Sequence, residues 1–290
     1  MAASSLTRRL ALGLFVALLG ASPTGCGRHA TSLPHASRAT IVLIHGLGGS
    51  PGDWTEVAND LGRDHRVVLV ALPGHSHAAM PDSLPLERAV ENVLASVRTL
   101  PQPVVLVGHS VGGLVAARVA LRAPDAVAGV VLVETALRPQ MPPADRRSLL
   151  DALGRNPEAV LHDAYAGFGR DSLQGAELAR EAGAVEPHAF RTWLAEVLDA
   201  DFSSEVAALS LPVLVVLGPH SWERGEPWAV AAESLGYGSL KRAQPVRVDS
   251  CAHYVMLDRP QQTIALLRDW VARVESGTAA TGGPPSEPRK

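Results

Sequence analysis

Six short apolar runs recur along the chain, and they constrain the fold more than any other feature. They are Ile41–Ile44, Val67–Ala71, Val104–Val107, Val130–Val133, Val213–Leu217 and Val246–Val248. In the first five runs consecutive residues are apolar, whereas Val246–Val248 has Arg247 at its centre. A strand with one face in water would alternate apolar and polar residues throughout. This pattern is typical of parallel strands that are covered on both faces of a sheet.

Helix-compatible stretches separate most of these runs. They are Trp54–Leu61, Leu86–Leu100, Val111–Arg122, Trp228–Leu235 and Gln261–Val274. Strands that alternate with helices predict an α/β fold with a doubly wound, mostly parallel sheet. The chain has 290 residues, of which 47% are hydrophobic, and this is enough apolar material for one sizeable core.

Residues 139–208 interrupt the alternation. They contain no strand-like run, and their helix-compatible segments lie between breakers such as Pro142-Pro143, Asn156-Pro157 and Glu186-Pro187. We therefore expect a helical cap inserted between two strands, with residues 39–138 and 209–275 forming the core. Residues 276–290 are rich in Gly, Thr, Pro and Ser, a composition that predicts a disordered tail.

The sharpest local motif is Gly108-His109-Ser110-Val111-Gly112, which directly follows one predicted strand and precedes a predicted helix. A serine hydroxyl is a weak nucleophile, and it must project clear of the sheet beside a base. A sharp strand-to-helix turn presents it in this way, and glycines two positions to either side allow the backbone to double back. The dipole of the following helix would favour negative charge near the serine.

Four motifs in this order resemble the α/β-hydrolase superfamily. They are His45-Gly46-Leu47-Gly48-Gly49, Leu72-Pro73-Gly74-His75, the turn at residues 108–112, and the segment from Cys251 to Pro260 that contains Ala252-His253-Tyr254. The resemblance extends from about Ile41 to Ala272. It implies an α/β-hydrolase fold and a serine hydrolase, but it does not identify a substrate.

The resemblance also implies roles for individual residues. His253 would be the base that activates Ser110, and the backbone N–H groups of Leu47 and Val111 would form the oxyanion hole. His45 would support the glycine-rich loop that carries Leu47. His109 would flank the nucleophile without acting as its base.

The acid that would orient the base is less clear from the sequence. The family most often places Asp three residues after a strand-ending glycine, but here Ser221 stands three residues after Gly218. Glu134, at the end of another predicted strand, is the favoured candidate because it preserves the order nucleophile, acid, histidine. Glu223 and Glu226 are the alternatives. Glu134 could instead cap the next helix.

The expected reaction is hydrolysis of a carboxylic ester, on a small ester-like substrate, through an acyl-enzyme on Ser110. C–C bond hydrolysis and a cofactor-free haloperoxidase-like activity are the alternatives, since the same three side chains serve such relatives. Epoxide hydrolysis and dehalogenation are disfavoured, because those relatives carry Asp in place of the serine. A non-catalytic ligand-binding module is the alternative of another class, and Ser221 is what favours it.

Other classes of partner find no support in the sequence. The formal net charge is −3, and no basic stripe indicates a nucleic-acid surface. The pair His75 and His77 has no third ligand at useful spacing, so we expect neither a metal nor a cofactor. Cys251 is expected to be a small, buried packing residue.

The N-terminus resembles an export signal over residues 1–26, followed by a linker at residues 27–38. Arg8 and Arg9 precede the ten-residue apolar stretch Leu10–Leu19, which is too short to span a bilayer. The basic pair also permits a twin-arginine signal. Pro23-Thr24-Gly25-Cys26 resembles a bacterial lipobox, although Pro23 stands where that box usually has Leu. We expect an exported protein, either anchored through an acylated Cys26 or simply secreted.

If Cys26 is acylated, the mature protein should sediment with membranes, because several acyl chains together bind firmly. Cys26→Ser should then release the protein or block its processing. Fractionation with N-terminal sequencing measures both effects. Fully soluble wild-type protein that begins downstream of residue 26 would contradict lipidation.

Overall fold

The computed structural model describes residues 38–279. The predicted signal, the acylation of Cys26 and nearly all of the predicted linker lie outside the described residues. Within this range, no helix is both long and apolar enough to cross a bilayer.

A single sheet of six parallel strands forms the centre of the fold. The strands are β1 (Thr40–Ile44), β2 (Arg66–Val70), β3 (Val104–His109), β4 (Val127–Val133), β5 (Val213–Leu217) and β6 (Ala243–Arg247). Their order in the sheet is β2-β1-β3-β4-β5-β6, and every neighbouring pair is parallel. The predicted doubly wound α/β fold is therefore confirmed.

Ten α-helices lie within the described residues. They are α1 (Thr55–Leu61), α2 (Pro85–Thr99), α3 (Val111–Arg122), α4 (Pro143–Arg155), α5 (Pro157–Ala166), α6 (Ser172–Ala182), α7 (Pro187–Asp199), α8 (Trp228–Leu235), α9 (Val255–Asp258) and α10 (Pro260–Glu275). Short 3-10 helices occupy Pro51–Trp54 and Glu205–Ala208. The five helices predicted between strands all occur, with ends that differ by one residue or not at all.

The sheet separates two apolar layers, because successive side chains of a strand point to opposite faces. Val42 and Ile44 of β1 pack with α2, α3 and α8, whereas Ile41 and Leu43 pack with α1 and α10. All five residues of β1 and of β5 are buried. The continuous apolar runs in the sequence therefore reflect strands with helices on both faces.

The two edge strands depart from the predicted pattern. Leu69 of β2 is 40% exposed, so this strand is not fully covered despite its apolar sequence. Strand β6 begins at Ala243, three residues before the predicted start at Val246. Pro245 obscured this start, since proline cannot donate to a ladder and is confined mainly to edge strands.

Four helices, α4 to α7, occupy the interval between β4 and β5 where helix-compatible segments were predicted. We call residues 139–208 the helical insertion. It is joined to the core by Trp193 of α7, which is fully buried and donates its indole N–H to the carbonyl of Pro73 at 2.8 Å.

The C-terminal boundary of the core lies later than expected. Residues 276–279 belong to the described part of the chain, and Ala279 is 1% exposed. Its carbonyl accepts a hydrogen bond from the side chain of Gln244 on β6. The rest of the predicted disordered tail, residues 280–290, lies outside the described residues.

Candidate active site

Ser110 lies on the turn between β3 and α3, as predicted. Its backbone has φ +51° and ψ −118°, a left-handed conformation that is strained for a residue with a side chain. A Cβ at Gly108 would collide with the backbone of Gly112, and one at Gly112 would collide with the carbonyls of Ile44 and His45. The two glycines are therefore required by the close approach of the backbone at this turn.

Glu134 is the first residue after β4, at the same edge of the sheet. Its φ is +48°, and its backbone N–H donates to the carbonyl of Val216 on β5 at 2.9 Å. The side chain is only 2% exposed. One carboxylate oxygen, Oε1, accepts the backbone N–H of Gly218.

The other carboxylate oxygen of Glu134 meets His253. Glu134 Oε2 lies 3.2 Å from His253 Nδ1, as was predicted for the acid. With Nδ1–H donating to the carboxylate, the opposite ring nitrogen Nε2 is left with a free lone pair. A carboxylate in this position fixes the tautomer of the imidazole and stabilises its protonated form.

Ser221 stands where the family usually has its acid, and it contacts the carboxylate of Glu134. Its hydroxyl donates to Glu134 Oε2 at 2.8 Å. Glu223 is exposed, and the carboxylate of Glu226 accepts the backbone N–H of Glu223 at 3.2 Å. Of the three candidate acids, the structure therefore brings only Glu134 to His253 among the described residues.

The loop that carries His253 is held at several points. The backbone carbonyl of His253 accepts Nε2–H of His109 at 2.9 Å. The backbone N–H of His253 donates to the carbonyl of Phe168 at 3.2 Å. The Phe168 ring stacks on the imidazole with 4.6 Å between centroids. Asp258 accepts the backbone N–H of Ala252 at 2.7 Å. His109 flanks the nucleophile, as expected, and contacts the base through its backbone.

Two buried histidines hold the glycine-rich loop after β1. His45 donates from Nδ1 to the carbonyl of Gly46 at 2.8 Å and accepts the N–H of Leu72 at Nε2, at 3.1 Å. His75 accepts the N–H of Gly48 at Nε2, at 3.0 Å, and donates from Nδ1 to Pro73. His75 therefore supports this loop, a role that the sequence did not indicate.

Both loop histidines must be neutral to accept these N–H groups. Burial lowers the pKa of His45 to about 4, against the opposing effect of its hydrogen bond to Gly46. Burial also lowers the pKa of His75. The two imidazoles therefore remain neutral acceptors at neutral pH, and the loop keeps its shape.

Two cavities meet at Ser110 and His253. The first, of about 450 Å³, is bounded largely by apolar side chains of the helical insertion, namely Leu149, Val160, Leu161, Phe190, Leu194 and Val197. We call it the apolar chamber. The second, of about 610 Å³, also contacts Glu134 and is lined by more polar groups, including Arg138, Gln140, His220 and Ser221.

The predicted oxyanion residues lie beside the nucleophile. Leu47 and Val111 both border the apolar chamber together with Ser110 and His253. Within residues 38–279, neither the Leu47 N–H nor the Val111 N–H donates a hydrogen bond, so both are available to a ligand. No hydrogen bond joins Ser110 Oγ to the His253 ring within this range, although both groups face the same two cavities. Such bonds often form only when substrate is bound.

A sequence model of the alpha/beta hydrolase family matches residues 41–266. The chain belongs to this family. The resemblance seen in the four motifs is therefore confirmed, and the site occupies the carboxyl edge of the sheet, where open α/β folds bind ligands.

Several curated relatives of the chain are named as esterases. The chain is 30% identical over 201 residues to a pimeloyl-[acyl-carrier protein] methyl ester esterase of Pseudoalteromonas atlantica, covering 63% of this chain and 76% of that protein. It is 29% identical over 255 residues to an enzyme of the same name from Aromatoleum aromaticum, covering 81% and 99%. Among solved structures, the enol-lactonase of Burkholderia xenovorans LB400 has a TM-score of 0.70 at 22% identity, covering 83% and 94%. The last similarity concerns the fold alone.

Sequence reasoning missed the contribution of the helical insertion to the site. Tyr165 contacts the glycine-rich loop, and Phe168 contacts the loop of His253. No motif surrounds them, and helical periodicity gives no sign of such long-range contacts. The turn Leu72-Pro73-Gly74-His75, one of the four motifs that resemble the family, was the signal that could have pointed to His75.

Replacing Glu134 tests the acid. Glu134→Gln should lower kcat by roughly a hundredfold or more with little change in KM, since the amide no longer stabilises the imidazolium of His253. Glu223→Gln and Glu226→Gln are matched controls and should stay within a few-fold of wild type. A larger loss in either control would reassign the acid.

A rescue variant sharpens this test. In the Glu134→Gln background, Ser221→Asp should recover part of the lost kcat, because the Ser221 side chain lies beside the same carboxylate position. Steady-state kinetics of the single and double variants measure the recovery. No recovery, together with an intact fold, would show that position 221 cannot reach His253.

Protonation of buried groups should give opposite pH effects on stability. Because the pKa of His75 is lowered, the unfolded chain binds a proton below about pH 6.5 that the folded chain rejects. The free energy of unfolding therefore falls as the pH falls. Asp53 has the opposite effect, because burial raises its pKa to about 7. Its contribution to the free energy of unfolding therefore falls as the pH rises from about 4 through 7.

Two substitutions separate these effects. The Tm of His75→Gln minus that of wild type should be more positive at pH 5 than at pH 8, whereas the Tm of Asp53→Asn minus that of wild type should be more positive at pH 8 than at pH 5. Thermal melts at both pH values give the comparison. Parallel shifts of both variants at the two pH values would show that neither group is titrating abnormally.

Proposed function

We propose that this protein hydrolyses carboxylic esters by two-step acyl transfer through Ser110. The contact between Glu134 and His253 carries the proposal. It orients a base that lines the same cavity as Ser110. Two available backbone N–H groups beside Ser110 supply a site for an oxyanion. The curated relatives named as pimeloyl-[acyl-carrier protein] methyl ester esterases support the same reaction class.

In the first step, Ser110 Oγ attacks the ester carbonyl carbon while His253 Nε2 takes the hydroxyl proton. Negative charge moves to the carbonyl oxygen, where the N–H groups of Leu47 and Val111 would stabilise it. The C–O bond to the alcohol then breaks, and His253 returns the proton to the departing alkoxide. An acyl ester on Ser110 remains.

In the second step, water attacks this acyl ester and His253 takes a proton from the water. Collapse of the tetrahedral intermediate releases the carboxylic acid and returns the proton to Ser110 Oγ. Glu134 accepts the Nδ1–H of His253 throughout, so the base keeps one tautomer and its imidazolium is stabilised. None of these steps requires a cofactor.

The two cavities suggest how an ester would be oriented. The apolar chamber suits a hydrocarbon acyl portion, because burial of methylene groups against Leu161 and Phe190 is favourable. The more polar cavity, which includes Arg138 and Gln140, suits the alcohol portion. A small aliphatic ester is therefore the proposed substrate class, and methyl esters of aliphatic acids are suitable first candidates given the names of the relatives.

The contacts of Ser221 favour a catalytic protein over the alternative of a non-catalytic binding module. That alternative depended on Ser221 as a defect in the acid position, but the Ser221 hydroxyl donates to Glu134, which contacts His253 instead. No specific contact favours C–C bond hydrolysis or a haloperoxidase-like reaction over ester hydrolysis.

Replacing the nucleophile tests the proposal. Ser110→Ala should lower kcat on aliphatic p-nitrophenyl esters by at least about 10³-fold while substrate binding and Tm change little, since the hydroxyl acts chiefly in the chemistry. A fluorophosphonate should label wild-type protein at Ser110 and leave the variant unlabelled. Labelling is read by peptide mass spectrometry.

Retention of a tenth of wild-type activity by Ser110→Ala would refute the assignment of the nucleophile. A wild-type protein that neither reacts with the fluorophosphonate nor cleaves any ester of a chain-length series would instead restore the binding-module alternative.

A further inference from the structure

The helical insertion makes a direct hydrogen bond to the glycine-rich loop. The hydroxyl of Tyr165, in the last turn of α5, donates to the carbonyl of Leu47 at 2.7 Å. Tyr165 is only 4% exposed. Gly48 has φ +74°, and a Cβ there would collide with the Tyr165 hydroxyl, so the tyrosine and the loop are closely packed.

This bond completes the support of the peptide groups around Leu47. The preceding carbonyl, that of Gly46, accepts from His45, and the following N–H, that of Gly48, donates to His75. Tyr165 holds the carbonyl of Leu47 itself. The peptide planes on both sides of Leu47 are thus fixed, and with them the direction of its N–H. Of the three supporting side chains, only the tyrosine comes from the insertion.

The hydroxyl of Tyr165 is suited to act as a lasting donor. Burial and the nearby carboxyl of Asp53 raise its pKa, so the phenol stays protonated at neutral pH. An ionised phenolate could not donate to a carbonyl.

The same turn of the insertion also reaches the base. Three residues after Tyr165, Phe168 accepts the backbone N–H of His253 and stacks on its imidazole. The tyrosine and phenylalanine rings contact each other edge to face, with 5.4 Å between centroids. One short segment of the insertion is therefore packed against both the oxyanion loop and the loop of the base.

We propose that Tyr165 is a positioning residue for ester hydrolysis. Its hydroxyl holds the peptide plane that follows Leu47 and so restrains the rotation of the Leu47 backbone, which sets the direction of the Leu47 N–H relative to the developing oxyanion. The inference rests on the proposed function, and it makes the helical insertion part of the machinery that stabilises the transition state as well as a wall of the substrate cavity. The Tyr165 ring also lines the apolar chamber, so the test must separate the effect of the ring from that of the hydroxyl.

Tyr165→Phe removes the hydroxyl and keeps the ring. It should lower kcat roughly tenfold to a hundredfold, because an oxyanion donor that is free to turn stabilises the transition state less. KM for p-nitrophenyl butyrate should change by no more than about twofold, since binding of the acyl chain depends on the ring. Tyr165→Leu removes both parts and should raise KM as well.

A transition-state analogue gives a readout that packing alone would not move. Ser110 Oγ adds reversibly to the carbonyl carbon of an alkyl trifluoromethyl ketone, its proton passes to His253, and the resulting hemiketal oxyanion occupies the oxyanion hole. ¹³C NMR of the labelled carbon measures the pKa of this hemiketal. Tyr165→Phe should raise that pKa by about one or more, which corresponds to a tenfold or greater loss of oxyanion stabilisation.

Tyr237→Phe is the matched control for stability. Tyr237 is also buried and also donates its hydroxyl to a backbone carbonyl, that of Thr135. Both variants should lower Tm by similar amounts, but only Tyr165→Phe should raise the hemiketal pKa. Should Tyr165→Phe fail to fold, Tyr165→Leu, which also lacks the hydroxyl, should give the same rise.

The outcomes distinguish this inference from the proposed function. A wild-type protein that forms no adduct at Ser110 would overturn both. An adduct in the wild type, together with an unchanged hemiketal pKa and kcat in Tyr165→Phe, would overturn the role of Tyr165 alone. A KM effect without a kcat effect would likewise overturn it, because it would assign Tyr165 to acyl-chain binding only.

Discussion

The hydrogen-bond ladder of the parallel sheet is the constraint on which the site depends. The ladder continues one residue beyond the strands: Ser110 N–H donates to Val133, and Glu134 N–H donates to Val216. The candidate nucleophile and acid are therefore held by the same kind of bond that holds the buried strands. Because all strands are parallel, their carboxyl ends meet at one edge, and the register of the sheet fixes the spacing of the two residues.

This constraint explains how the acid can occupy an unusual strand. Glu134 follows β4, and Ser221 lies in the loop after β5, the neighbouring strand. Both positions adjoin the place reached by His253, so a carboxylate from either strand can serve the same imidazole. Glutamate has one more methylene than aspartate, and here its carboxylate contacts Gly218 N–H, the Ser221 hydroxyl and His253 together. A buried carboxylate needs such donors, since desolvation without them would be costly.

The sequence was sufficient for those parts of the fold that local patterns determine. Strands such as Ile41–Ile44 are buried on both faces, so their apolar runs are unambiguous, and the glycines around Ser110 mark a turn that few other residues allow. Local patterns mislead where local preference and position in the sheet disagree. Pro245 lies inside β6 because an edge strand tolerates a missing donor, and Leu69 is exposed because β2 has a neighbour on one side only.

The acid and the insertion mark the limit of prediction for the site. Three glutamates were compatible with the spacing along the chain, and only the fold distinguishes them, since the distance from Glu134 to His253 spans 119 positions of sequence. Tyr165 was not a candidate at all. A helix that encloses a cavity needs apolar residues at helical spacing, and a tyrosine satisfies that pattern whether or not its hydroxyl has a partner.

The side chains that support the glycine-rich loop are all buried and neutral. His45, His75 and Tyr165 each present one hydrogen-bonding group to the glycine-rich loop, and burial keeps each of them uncharged. Charged groups in the same places would add fixed charge beside the proposed oxyanion hole. Neutral dipoles held by the fold need no reorganisation when charge develops, which is the condition under which backbone N–H groups stabilise an oxyanion most strongly. The glycine-rich loop is therefore supported from the sheet by two imidazoles and from the insertion by one phenol. The orientation of its peptide groups depends on all three.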